Sequence, residues 1–81
     1  MTPKIKKIQY KGKYTFHVQF ENDRKGNINF QPFLWGEVFE PLKDENFFRK
    51  AFIDQTSGTI TWPNGADIAP ETLYQKIISD N

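Results

Sequence analysis

Residues 14–20 place the tightest constraint on what this chain can fold into. Tyr14, Phe16, Val18 and Phe20 alternate there with Thr15, His17 and Gln19. A period of two puts the apolar side chains on one face of a strand and the polar ones on the other. A strand with one wet face belongs in an antiparallel sheet, whose members can be joined by tight turns. Both flanks supply such members. Upstream, Ile8 and Tyr10 keep the same period, and Lys11-Gly12 offers a tight turn. Ile5 stands three residues before Ile8, out of phase, so either a bulge lies near Lys6-Lys7 or Ile5 faces the other side. Downstream, the polar stretch from Asn22 to Gly26 turns the chain toward Ile28 and Phe30. These three strands make a meander.

A second hairpin is expected from Ala51–Asp54 and Thr59–Trp62, with Gln55-Thr56-Ser57-Gly58 as a four-residue loop. Pro63 cannot donate to a ladder, so Pro63-Asn64-Gly65 is expected to end the last strand. Between the strand groups, Pro32, Gly36 and Pro41 argue against a regular element. That stretch still holds Phe33, Leu34, Trp35, Val38, Phe39 and Leu42, so it is expected to fold over the sheet edge. Asp44 suits the cap of a short helix over Glu45 to Arg49 with Phe47 or Phe48 turned inward. Pro70 and Glu71 suit the first turn of a terminal helix whose buried stripe is Leu73, Tyr74, Ile77 and Ile78. The expected fold is α+β: a twisted antiparallel sheet of about five strands (meander plus hairpin), a short middle helix and a C-terminal helix. With 81 residues the chain has room for a single domain, 1–81.

The chemistry this chain can perform is narrow. It has no cysteine, which removes disulfides, thiolate metal sites and cysteine nucleophiles. Its one histidine, His17, falls on the solvent side of its strand, and histidine metal sites usually need more ligands than that. The only serines, Ser57 and Ser79, lie in a loop and near the C-terminus. The glycines stand singly in turns, so no phosphate-cradling loop forms. Glu37, Glu40, Asp44 and Glu45 lie close in sequence, but without the alternating oxygens and central glycine of a calcium loop. The chain therefore reads as a non-enzyme with no catalytic residue, no metal and no cofactor. No apolar run reaches the roughly 18 residues of a membrane span, and no apolar segment backs the basic N-terminus as in a secretory signal. A cytoplasmic protein with no membrane partner is expected.

Charge supplies the positive clues. Residues 1–27 carry seven basic and two acidic side chains, a net +5, whereas residues 28–81 carry four and eight, a net −4. A bipolar domain steers toward a charged partner. Lys4, Lys6, Lys7, Lys11 and Lys13 fall on the first hairpin, and together with the apolar Trp35 they are the candidate partner-binding residues. Tyr10 and Tyr14 lie among those lysines, the mixture that single-stranded nucleic acid needs. However, both tyrosines are in phase with the core face, and the sequence pI near 8.0 is low for a basic binder. Self-association through sheet edges is the remaining possibility, unless lysine blocks them.

Two segments carry a resemblance. Gly36-Glu37-Val38-Phe39-Glu40-Pro41-Leu42, and the run from Gly58 to Tyr74 with Trp62-Pro63-Asn64-Gly65 and Asp67 at its centre, resemble the bacterial family called domain of unknown function 2442. The turn after Phe20 is longer than the family's usual one, and Gln31 stands where an aspartate is common. The resemblance implies an α+β domain with no assigned activity. It also implies an accessory or antitoxin-like role, because some relatives are encoded beside a small toxin-like protein. On the residues themselves, the signature turn reads as structural: Trp62 ends a strand on the core, and Asp67 braces the turn or caps the last helix. The functional alternative makes Trp62, Asn64 and Asp67 a ligand or partner site. The leading expectation is a non-catalytic protein-interaction module whose partner is another protein, encoded by a neighbouring gene. The alternative is a nucleic-acid-binding protein using the basic N-terminal hairpin.

Overall fold

The structure is a computed structural model and describes residues 2–79, with side-chain surroundings through Ile77. The alternating segment forms the central strand of a three-stranded antiparallel sheet in the order β1-β2-β3: β1 is Ile5–Gly12, β2 Thr15–Phe20 and β3 Lys25–Asn29. Tyr10, Phe16 and Ile28 are cross-strand partners on the inner face, as are Ile8, Val18 and Gly26. Of the two readings of the Ile5–Ile8 spacing, the bulge is the one present: Ile5 pairs with Phe20 and Lys7 with Gln19, leaving Lys6 as the extra residue. A second register shift leaves Lys11 unpaired between Tyr10 and Gly12.

The first turn differs from expectation. Gly12 still pairs with Thr15, so the turn residues are Lys13 and Tyr14, not Lys11-Gly12. Both have positive φ, 52° and 60°. A two-residue loop with that geometry matches the right-handed twist of its strands. Tyr14 is therefore a turn residue rather than the start of β2. Its ring nonetheless stays on the core side, 5.2 Å from Phe48.

The sheet count is corrected as well. There is no single sheet of about five strands, because the second hairpin forms its own three-stranded sheet, ordered β4-β5-β6. β4 is Phe52–Asp54, β5 Thr59–Thr61 and β6 Asp67–Ile68. Pro63-Asn64-Gly65 does not end the sheet. It reverses the chain, with the Trp62 amide donating to the Ala66 carbonyl at 2.9 Å, and β6 returns alongside β5. The two sheets touch where the Ile5 amide donates to the Gly58 carbonyl at 3.0 Å, beyond any regular ladder. Bulges that carry lysine twist β1 and discourage a fourth strand from pairing along it.

Residues 31–43 are more regular than their prolines suggest. Gln31–Phe33 and Glu37–Lys43 are 3-10 turns, a form short enough to tolerate Pro32 and Pro41. The short helix α1, Glu45–Phe48, begins as expected, with the Asp44 carboxylate accepting the Asn46 amide at 3.0 Å. The last helix, α2, is Pro70–Ser79. Leu73 and Ile77 are buried and Tyr74 packs edge-on against Phe20 at 5.1 Å. The side chain of Ile78, also expected in that stripe, lies outside the described residues.

The core between these layers is aromatic. Phe48 sits at its centre, with Tyr10, Tyr14, Phe16, Phe30 and Trp62 at ring-centroid distances of 5.2–5.9 Å. Edge-to-face geometry dominates, the arrangement favoured by ring quadrupoles. Among the described residues, no helix is long and apolar enough to cross a membrane.

Candidate functional site

Trp35 is the large apolar side chain most at odds with its surroundings, at 74% exposed. Its backbone explains the exposure. Leu34 has φ −89° and ψ 65°, and the Trp35 amide donates to the Phe33 carbonyl at 3.0 Å. This is an inverse γ-turn, which sends Leu34 into the core and Trp35 out. Gly36 follows at φ 91°, a conformation side chains rarely adopt, and opens the next 3-10 turn. The indole is thus held outward by backbone geometry on both sides.

A groove of about 460 Å³ runs beside it. One wall is Phe33, Trp35, Gly36, Val38 and Phe39; the other is Asp67, Ile68, Ala69 and Thr72, from β6 and the start of α2. Val38 adds further exposed apolar surface at 48%. The signature turn holds the walls together. Asn64 Nδ2 donates to the Val38 carbonyl at 2.9 Å, while its Oδ1 accepts the Ala66 amide at 3.1 Å. Trp62 lies beneath, 1% exposed, with its indole N–H donating to the Phe48 carbonyl at 2.8 Å. Pro63 and Gly65 sit exposed in the turn itself.

Asp67 corrects one expectation. Among the described residues, no hydrogen bond reaches its carboxylate, so it neither braces the turn nor caps α2. The bracing falls to Asn64, whose amide can donate and accept at once. The Asp67 side chain is exposed on the groove wall instead.

The candidate lysines do not gather. Lys4 precedes β1 and donates to the Thr56 carbonyl at 3.1 Å. Lys6 bulges out and pairs with Asp23 at 3.6 Å. Lys13 is at the far turn, an eight-residue strand away, roughly 26 Å at about 3.3 Å per residue. None of them lines the groove. What they flank is the outer face of the first sheet. There Lys7, Gln19 and Lys25 form one cross-strand row, and Gln9, His17 and Asn27 the next. His17 Nδ1 lies 2.9 Å from Asn27 Oδ1. These rows contain no carboxylate, but the tyrosines that would stack on bases face inward. Tyr10 packs against Phe16 and accepts the Tyr14 amide at 3.3 Å, and burial pushes its phenol above the ordinary tyrosine range.

Among the described residues, no three His, Asp or Glu side chains gather as a metal site would require. Within the acidic stretch, Glu40 pairs with Lys43 at 3.2 Å and Asp44 caps α1, whereas Glu37 stays exposed. The sequence pointed to Trp35 and the apolar stretch around it. It did not reveal the facing wall, because that wall is assembled from residues about thirty positions away.

No curated protein and no solved structure matches this chain. A family model does, over residues 5–79, from the first residue of β1 to the last of α2. That span takes in both sheets, the exposed Trp35 segment and the Trp62–Asp67 turn, so the chain belongs to the family described as protein of unknown function (DUF2442).

Proposed function

We propose that this domain is a non-catalytic protein-interaction module of the bacterial cytoplasm. It binds its partner through the Trp35 groove, as an accessory or antitoxin-like component whose partner is encoded beside it. The observation that carries this reading is Trp35, 74% exposed on a rigid turn and facing an apolar groove. An aromatic side chain buries roughly 150–250 Å² when covered. At about 25 cal/mol/Å² that is worth a few kcal/mol before the costs of association. Tryptophans of this kind are the usual anchors of protein interfaces.

The test is capture of partners from the native cell by the tagged protein, compared with Trp35→Ala. The expected result is one stoichiometric protein, retained by the parent chain and lost with the variant, whose unfolding transition is unchanged. Capture that ignores Trp35→Ala overturns the reading.

One observation favours a second reading. The row Lys7–Gln19–Lys25 holds two lysines and no acid of its own, with Asp23 at its margin accepting from Gln19 at 3.3 Å, so its lysines suit a polyanion such as single-stranded nucleic acid. Retention of nucleic acid that weakens steeply with salt, and is abolished by Lys7→Glu with Lys25→Glu, supports that alternative.

A further inference from the structure

The groove wall formed by β6 has an unused backbone edge. In the hairpin, the Trp62 amide bonds to the Ala66 carbonyl. Bonded and non-bonded pairs alternate in an antiparallel ladder. Ile68, opposite Ile60, is then bonded to β5, whereas the N–H and C=O of Asp67, opposite Thr61, point away from it. β6 is the last strand of its sheet, so these two groups face along a free edge, and Asp67 is itself one of the residues lining the groove. Any occupant meets a backbone donor and acceptor beside an apolar wall. That combination selects an extended chain, with main-chain bonds on one side and alternate side chains in the groove.

Charge narrows the occupant further. Among the described residues, Asp67 is the only charged one lining the groove. Glu37 stands between the lining residues Gly36 and Val38, and Glu71 between Ala69 and Thr72. All three are exposed, and none forms an ion pair among the described residues. Among the described residues, no lysine or arginine lines the groove to balance them.

We infer that the groove takes an extended segment of a partner protein in which large apolar side chains alternate with lysine or arginine, paired to the Asp67 backbone edge. This rests on the groove being the binding surface and adds the chemistry of what it binds. A second folded copy does not offer such a segment. The matching stretch, Ile5–Gly12, is an edge strand, but bulges at Lys6 and Lys11 interrupt it and its apolar side chains Ile5, Ile8 and Tyr10 already pack on its own core.

The experiment is selection of a displayed random heptapeptide library on the folded full chain, followed by affinity measurements on synthetic copies of the winners. Enriched peptides are expected to alternate aromatic or aliphatic residues with basic ones. Their affinity should fall at least tenfold with Trp35→Ala and severalfold with Asp67→Asn. Methylating the peptide nitrogens that face β6 should abolish binding, while methylating the alternate ones should not. Winners that depend on Trp35 but lack basic residues, or that tolerate every methylation, overturn the inference and leave the groove as the binding surface. Winners indifferent to Trp35→Ala, or no enrichment over that variant, overturn the inference and remove its support from the groove reading as well.

Discussion

At the scale of single residues, the Trp62–Ala66 reversal separates two side chains that look interchangeable on paper. Asn64 and Asp67 can both accept backbone hydrogen bonds, and an acid ahead of a helix is a familiar brace. The geometry chooses the amide. Its oxygen closes the turn on Ala66 while its nitrogen reaches Val38, a contact a carboxylate cannot make. Asn64→Ala is expected to cost about 0.5–1.5 kcal/mol, whereas Asp67→Ala should stay within about 0.5 kcal/mol of the parent. Urea denaturation of the two variants checks this directly. A large loss from Asp67→Ala would return that carboxylate to a structural role. Asp67 is thereby the position at which the proposed binding can be tested without altering the fold.

At the scale of elements, legibility followed the length of the pattern. β2 and its partners were readable because alternation persisted over several residues, and one out-of-phase isoleucine flagged an irregularity in β1 that only the register resolves as the lysine bulge. β6 was not readable. Two residues carry no period, and Pro63 marks the end of a strand as readily as the middle of a turn. The 3-10 turns escaped for a related reason: their prolines exclude an α-helix but not a tighter coil. The first turn conceals strain. Lys13 is exposed and sits at φ 52°, where a side chain costs about 1–2 kcal/mol. Glycine removes that strain but adds roughly 0.5–1 kcal/mol of unfolded-state entropy. Lys13→Gly is therefore expected to stabilise the protein by about 0.5–1 kcal/mol, raising the thermal midpoint in calorimetry. Tyr14 should resist the same change, since its ring packs on Phe48 and its hydroxyl donates to the Lys43 carbonyl.

At the scale of the whole molecule, the two sheets meet at a crowded point. Gly58 has φ 67°, and a Cβ there would lie 2.3 Å from Lys4 Cβ and 2.9 Å from Lys4 Cα. Backbone, not a flexible side-chain tip, is in the way. Gly58→Ala combines a left-handed penalty of about 1–2 kcal/mol with overpacking of about 1–3 kcal/mol. A loss of roughly 2–5 kcal/mol is expected, seen as a lower denaturant midpoint. A near-neutral variant would mean that the sheets shift apart at little cost. This junction could not be read along the chain, because Lys4 and Gly58 are close only once both sheets exist. The same holds for the groove, whose walls lie on either side of α1 and the second hairpin.

The two tryptophans stand in opposite surroundings, Trp62 at 1% exposure and Trp35 at 74%. Light therefore reads them apart. Trp62 should emit in the blue, resist aqueous quenchers such as iodide, and shift to the red only when the core opens. Trp35 should emit in the red, quench freely, and shift to the blue only when something covers it. Without any label, unfolding and the covering of Trp35 move the spectrum in opposite directions, so the protein optically distinguishes loss of its fold from a change at its exposed face.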